Sequence, residues 1–103
     1  MGIRLRVSRQ TLDLLEALLL RPSQWQHGYA LSQQTGLASG TLYPILMRLE
    51  KSGWLETHWE DLPVSGRPPR HLYRLSSSGR EWAREELRAA QQSKFWKPAE
   101  GRA

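Results

Sequence analysis

The middle of the sequence constrains the fold most, because its hydrophobic period changes there from that of a helix to that of a strand. Large aliphatic residues first recur at helical spacing, at Leu42, Ile45, Leu46 and Leu49. Beyond Gly53, the residues Leu55, Thr57 and Trp59 alternate with charged and polar neighbours. This alternation predicts a strand. A helix from about Ser39 to Ser52 therefore leads directly into β-structure.

A shorter helix is predicted just before this one, over residues 28–35. Gly36 is expected to end it, because glycine readily adopts the left-handed conformation that follows many helices. The turn Gly36-Leu37-Ala38 then separates the two helices. Two helices joined by a short, glycine-containing turn form a helix-turn-helix.

The residues after the first strand predict a hairpin. Prolines and a glycine between Leu62 and Pro69 exclude a regular element there, and residues 70–75 alternate again as a returning strand. A hairpin directly after a helix-turn-helix is a wing. The fold class expected from these elements is mostly helical α+β, a winged helix-turn-helix.

One further helix is predicted on each side of this unit. The first covers residues 11–20, with Ser8 as its N-cap. The last begins after Ser76, with Ser78 and Glu81 spaced as a capping box, and runs to about Ser93. The first helix is apolar on nearly all sides, so it is expected to bury more than one face.

The charge balance favours a polyanionic partner such as nucleic acid. Fifteen Lys and Arg stand against ten Asp and Glu, for a formal net charge of +5. The 103 residues fit one domain, and the lack of cysteine excludes disulfides and favours a reducing cytoplasm. The apolar run at residues 12–20 holds two acidic residues and is too short to span a bilayer, so no membrane partner is expected.

The histidines do not indicate an enzyme. His27, His58 and His71 are the only ones, and the sequence has no phosphate-binding loop or nucleophile elbow. His58 and His71 could approach Glu60 and Asp61 across the hairpin, but their spacing matches no recognised metal site. No catalytic residue, cofactor or metal is expected.

Two stretches closely resemble the PadR family of transcriptional regulators. Residues 40–55, which begin Gly-Thr-Leu-Tyr-Pro, resemble the family's recognition helix, and residues 66–80, which begin Gly-Arg-Pro, resemble its wing and the start of its last helix. His27-Gly-Tyr-Ala and Thr35-Gly-Leu also fit. The resemblance covers about residues 12–87, with two departures, at Ala38 (often a serine cap) and at Leu72 (often aromatic).

The resemblance implies the family's short branch, with a single C-terminal helix. Residues 1–75 would form the winged helix-turn-helix DNA-binding domain, 76–96 a dimerisation helix packed on it, and 97–103 a flexible tail. The expected protein is a cytoplasmic homodimer that binds a promoter palindrome in double-stranded DNA and represses transcription. Two other classes stay open at this point, a winged-helix module that binds a protein and an RNA-binding protein.

Helical geometry selects the candidate DNA-binding residues. The helix from about Ser39 to Ser52 should enter the major groove with the side opposite its apolar stripe. Its N-terminal residues should then lie nearest the bases. These candidates are Ser39, Gly40, Thr41 and Tyr43, followed by Arg48 and Lys51 as phosphate contacts. In the wing, Arg67 and Arg70 flank two prolines and could enter a narrow minor groove. The alternative is that all of these residues are merely solvated. Arg74 is expected to have a different role, which is to brace the hairpin.

The candidate dimerisation residues lie on the first and last helices. Leu14 and Leu18 form the second apolar face of the first helix, and Leu87 lies on the last. Trp82, Ala89 and Trp96 are spaced by heptads, which is typical of a helix that packs along a partner. Trp82 could instead pack on its own domain. The resemblance also implies a small aromatic inducer, for which Trp82 and Trp96 are the candidates, whereas Trp54 and Trp59 are expected in the core.

Overall fold

The structure, a computed structural model, describes residues 7–61 and 66–92. Its elements are α1 (Arg9–Leu20), β1 (Gln26–His27), α2 (Gly28–Thr35), α3 (Ser39–Lys51), β2 (Leu55–Trp59), β3 (His71–Leu75) and α4 (Ser77–Gln91). This order confirms the predicted mostly helical winged helix-turn-helix. The predicted helix end at Ser93, the candidate Trp96 and the predicted tail lie outside the described residues.

Serine side chains cap the N-termini of two of the helices. The Ser8 hydroxyl accepts a hydrogen bond from the backbone N–H of Thr11 at 3.1 Å, as predicted. For α4 the cap is Ser76, whose hydroxyl accepts from the N–H of Gly79 at 3.0 Å, so the capping box assigned to Ser78 is wrong. The Ser76 hydroxyl also donates to the Gly53 carbonyl at 2.7 Å, which ties the start of α4 to the end of the helix-turn-helix.

The three strands form an antiparallel sheet in the order β1-β3-β2. The hairpin register runs from Leu55 opposite Leu75 to Trp59 opposite His71. The sequence did not predict β1, because two residues are too few to show an alternating pattern. This short strand matters for the site, because it places His27 beside the wing.

The core lies between α1, α2, α3, the sheet and α4, and it corrects part of the predicted dimer interface. Leu14 and Leu18 are 0% and 1% exposed in the single chain, so a partner subunit could bury nothing more of them. The sequence predicts both at the dimer interface, but both are core residues of the protomer. Leu87 is also buried against the same core. Helix α1 packs against α4 of its own chain.

Close backbone contact fixes where α4 begins. A Cβ placed on Gly79 would lie 2.0 Å from the Trp54 carbonyl oxygen, so only glycine fits there. One turn later, the ring of Trp82 stacks on that of Trp54, with centroids 4.9 Å apart and planes 5° apart. Trp82 thus packs on its own domain, the alternative that the sequence left open, although it keeps partial exposure.

Candidate nucleic-acid interface

The N-terminus of α3 is open. Its N-cap, Ala38, makes no side-chain capping bond, and Ser39 lies inside the helix rather than capping it. The Ala38 carbonyl accepts the first helical hydrogen bonds from Thr41 and Leu42 at 3.0 and 2.9 Å. Ser39, Gly40 and Thr41 are all exposed. Backbone N–H groups at an uncapped helix start favour an anion such as phosphate.

The two sides of α3 differ as the sequence predicted. Its aliphatic stripe is buried, and the opposite side presents exposed residues, namely Tyr43, Pro44, Met47, Arg48 and Lys51. Met47 is 58% exposed, so this side carries apolar surface as well as charge. The structure therefore keeps the six candidate residues of α3 on accessible positions. Their contacts with DNA stay a prediction.

Tyr43 is held at the junction of α2 and α3. A Cβ on Gly28 would lie 2.0 Å from the Tyr43 hydroxyl oxygen, so the start of α2 packs directly on this ring. Burial, and then the electrostatic effect of Tyr43 and Glu50, raise the pKa of Tyr73 in β3. Glu50 accepts a hydrogen bond from the Thr57 hydroxyl at 3.3 Å. These contacts orient α3 relative to the wing.

Glu60 collects both candidate arginines of the wing. Its carboxylate accepts hydrogen bonds from Arg67 Nη1 at 3.0 Å, and from Arg70 Nε and Nη2 at 3.2 and 3.1 Å. It also accepts from the Arg70 backbone N–H at 3.0 Å. The hydrogen bonds from Arg67 and then Arg70 lower the pKa of Glu60 to about 2, so it is ionised at neutral pH. We call Glu60, Arg67 and Arg70 the wing cluster.

His27 joins the wing cluster to the helix-turn-helix. Its Nδ1 accepts a hydrogen bond from the Ala30 N–H at 3.2 Å and caps α2. Its Nε2 lies 3.0 Å from Arg70 Nη1. Burial, and then the Arg70 charge, lower the pKa of His27, which favours the neutral ring at pH 7. Tyr29 stacks on this ring and is itself 69% exposed beside the wing.

The outer end of the paired strands β2 and β3 carries an aromatic pair. Trp59 is 60% exposed, and its ring stacks on His71 with centroids 4.6 Å apart. The prediction that Trp59 belongs to the core is therefore wrong. The sheet face that is buried at Leu55 emerges from the domain before the strand reaches Trp59.

Arg74 braces the hairpin, as predicted. Its Nε donates to Glu56 across the strands at 2.7 Å, and its guanidinium lies 4.3 Å from the ring centroid of Trp25. Trp25 also contacts His58 on this outer face of the sheet. Arg74 is thus separated in role from the wing cluster.

A cleft lies behind the recognition helix, between α1, α3 and α4. Its volume is about 420 Å³. The lining residues come from all three helices and the turn before β2, and they are Val7, Ser8, Thr11, Ile45, Arg48, Leu49, Ser52, Trp54, Trp82 and Glu86. The stacked Trp54 and Trp82 give it an aromatic wall, and Arg48 and Glu86 place opposite charges on it.

Sequence reasoning missed three residues of this surface: Glu60, His27 and Tyr29. The sequence suggests Glu60 only as a metal ligand, although it immediately follows β2 and lies opposite Arg70, the residue just before β3.

Within residues 7–61 and 66–92, no group of three or more His, Cys, Asp or Glu side chains is placed to bind a metal ion. No helix of this part of the chain is long and apolar enough to cross a membrane.

An exposed recognition helix beside a hairpin that presents Arg67 and Arg70 defines a winged-helix DNA-binding regulator. The profile of the Transcriptional regulator PadR-like family matches residues 14–85, so the chain belongs to that family. Its members are transcription regulators rather than enzymes. The comparison with curated proteins found no match.

Solved structures of regulators share this fold. A PadR-like transcription factor from Bacteroides fragilis is 26% identical, with a TM-score of 0.64 over 82% of this chain and 84% of its own. A PadR family transcriptional regulator from Eggerthella lenta is 29% identical, with a TM-score of 0.62 over 80% and 74%. The PcaV regulator from Streptomyces coelicolor, solved with its natural ligand, is 26% identical, with a TM-score of 0.65 over 84% of this chain and 57% of its own.

Proposed function

We propose that this protein is a cytoplasmic repressor that binds a promoter palindrome as a homodimer. The observation that carries the proposal is the pairing of an exposed, uncapped recognition helix with a wing whose two arginines are held together by one carboxylate. Four cationic side chains on this surface, those of Arg48, Lys51, Arg67 and Arg70, favour DNA over a partner protein.

On the duplex, α3 enters the major groove. Ser39, Gly40, Thr41 and Tyr43 approach base edges and the first phosphates, since N-terminal residues of a recognition helix lie deepest. Arg48 and Lys51, in the last turn, neutralise phosphates. Arg67 and Arg70 reach the adjacent minor groove or its phosphates from the wing.

The dimer is proposed to form along α4. Leu14 and Leu18 are withdrawn as interface residues, and Leu87 can contribute only the edge of its side chain. Ala89 is exposed and Trp82 is half-buried on α4, so they retain surface for a partner. Trp96, which lies outside the described residues, continues the heptad spacing.

A charged substitution on α4 tests the dimer. Ala89→Glu should shift the protein towards the monomer in sedimentation velocity, because a carboxylate would have to be buried against the partner. Gln91→Glu adds the same charge at an exposed position on another side of α4 and should leave the dimer intact. Equal dimerisation of Ala89→Glu and wild type would remove α4 from the interface.

A small aromatic inducer is proposed to bind in the cleft behind α3. The cleft volume of about 420 Å³ suits a small molecule, and the stacked tryptophans offer an aromatic wall. Because Arg48 lines the cleft and also lies on the DNA-facing helix, a bound molecule could change DNA affinity through α3. The cleft includes the candidate Trp82 and adds Trp54.

The proposed function is tested with the DNA immediately upstream of the protein's own gene. Fluorescence anisotropy at two salt concentrations compares this duplex with a scrambled duplex of equal composition. Saturable binding of two chains per site, with a preference for the native duplex that survives the higher salt, is expected. Equal, weak binding to both duplexes that disappears with salt would mean only non-specific attraction and would contradict a sequence-specific regulator.

A further inference from the structure

The wing cluster is unusual for a surface that is meant to attract phosphates, because a carboxylate lies in its centre. Glu60 removes one of the two positive charges that Arg67 and Arg70 bring to the wing. The Glu60 side chain is only 15% exposed, compared with 30% for Arg67 and 43% for Arg70. The carboxylate therefore lies beneath the two guanidinium groups, and the arginines form the outer layer.

The hydrogen bonds leave part of each guanidinium available. An arginine side chain has five N–H donors. Arg70 uses its Nε and Nη2 towards Glu60, and its Nη1 contacts His27. Within the described part of the chain, two N–H groups of Arg70 therefore make no bond. The Nε of Arg67 likewise has no partner among these residues.

The remaining contacts restrict how far the arginines can move. Arg70 is held on one side by Glu60 and on the other by His27, and Glu60 also binds the Arg70 backbone N–H. A long side chain that is already held loses less rotamer entropy when it binds. The ordinary alternative, in which Glu60 only lowers the charge of the wing, predicts the opposite effect on DNA binding.

We infer that Glu60 is a positioning residue for DNA recognition, which holds Arg67 and Arg70 as a fixed pair whose outer N–H groups bind the DNA backbone or the minor groove. This inference rests on the proposed function, since it names how the wing of that regulator binds DNA. It assigns a recognition role to an acidic residue that cannot itself attract DNA.

The substitution Glu60→Gln separates positioning from charge, with Glu56→Gln as its matched control. Both variants remove one negative charge from the same hairpin, and Glu56 pairs with Arg74 instead of the wing cluster. The added positive charge alone would strengthen DNA binding in both. We expect Glu60→Gln to bind the upstream duplex about tenfold more weakly, because two side chains lose their fixed geometry. Glu56→Gln should bind at least as well as wild type.

Two further measurements make the test specific. In the free protein, ¹⁵N relaxation should show restricted motion of the Arg70 Nε–H group in wild type and in Glu56→Gln. In Glu60→Gln the same group should move freely. In an Arg67→Ala/Arg70→Ala background, adding Glu60→Gln should cause no further loss, since its effect passes through the arginines. If Glu60→Gln fails to fold, Glu60→Asp, which keeps the charge but shortens the reach, is expected to show the same weakening.

The outcomes distinguish this inference from the proposed function. Binding of Glu60→Gln as tight as that of Glu56→Gln would overturn the positioning role. If wild type binds native and scrambled duplexes equally, the sequence-specific function fails, but the two variants compared on either duplex still decide the role of Glu60. Absence of wild-type binding to any duplex would contradict both.

Discussion

The recognition helix and the wing present their positive charges in opposite ways. In α3, Arg48 and Lys51 are exposed, and no hydrogen bond or ion pair joins their side chains to another described residue. In the wing, Arg67 and Arg70 are bonded to Glu60, and Arg70 also contacts His27. An unpaired cationic side chain can move to reach a phosphate, whereas a side chain held by other residues binds only DNA whose shape matches its position. If both regions bind DNA as proposed, we expect the wing to contribute to shape discrimination and the end of α3 to general affinity.

The largest effect is expected when both held cations are removed. Arg67→Ala/Arg70→Ala should weaken binding to all duplexes, by about 100-fold on the native duplex and by less on a scrambled one, because each positioned arginine contributes most where the DNA fits it. The slope of log affinity against log salt should flatten by about two units. Anisotropy titrations at several salt concentrations give both values. An unchanged affinity would show that the wing does not contact DNA, and the contrast between the cations of the wing and those of α3 would then be wrong.

A smaller and more uniform loss is expected from the free cations. Arg48→Ala should weaken binding by about three- to tenfold on native and scrambled duplexes alike, and flatten the salt slope by about one unit. The ratio of the two affinities should stay the same, because a phosphate contact carries no sequence information. A changed ratio would show that Arg48 reads bases and that the two groups of cations do not differ in this way.

The sequence predicted the recognition helix better than the wing, for a physical reason. The periodic stripe of α3 and the left-handed Gly36 that ends α2 are local signals, and the structure confirms both. The wing cluster depends on the pairing of Glu60 with Arg70 across a loop, which the sequence does not encode locally. Arg74 was predicted correctly because its partner lies within the regular part of the hairpin.

The predicted dimer interface shows a different limit. A helix that is apolar on two sides must bury both, but its sequence does not say whether its own chain or a partner supplies the second neighbour. In this protein Leu14 and Leu18 are buried within the single chain, and α1 packs against α4 as well as α2. Trp59 shows the same limit for a strand, since its alternating pattern continues past the point where the core ends.

A side-chain cap on α3 would sharpen the comparison, because it would give the start of this helix a fixed hydrogen bond like those in the wing cluster. Ala38 has φ −69° and ψ 156°, close to the values of the serine caps Ser8 and Ser76. Ala38→Ser should therefore form the missing bond and raise the free energy of unfolding by about 1 kcal/mol. Chemical denaturation measures this change. No gain in stability would mean that the hydroxyl does not reach the N–H groups of α3.

The smallest expected effect concerns the pH dependence of the wing cluster. Its bonds to Arg67 and Arg70 lower the folded-state pKa of Glu60 from an ordinary 4.5 to about 2. A lowered carboxyl pKa adds stability that is fully present above pH 4.5 and is lost as the pH falls towards 2. Wild type should therefore lose more stability than Glu60→Gln across this window, in urea denaturation at matched salt. Glu56→Gln should follow wild type, because it leaves Glu60 in place. Parallel curves for wild type and Glu60→Gln would show that the arginines are not held by the carboxylate in solution, and the contrast between held and free cations would then have no basis.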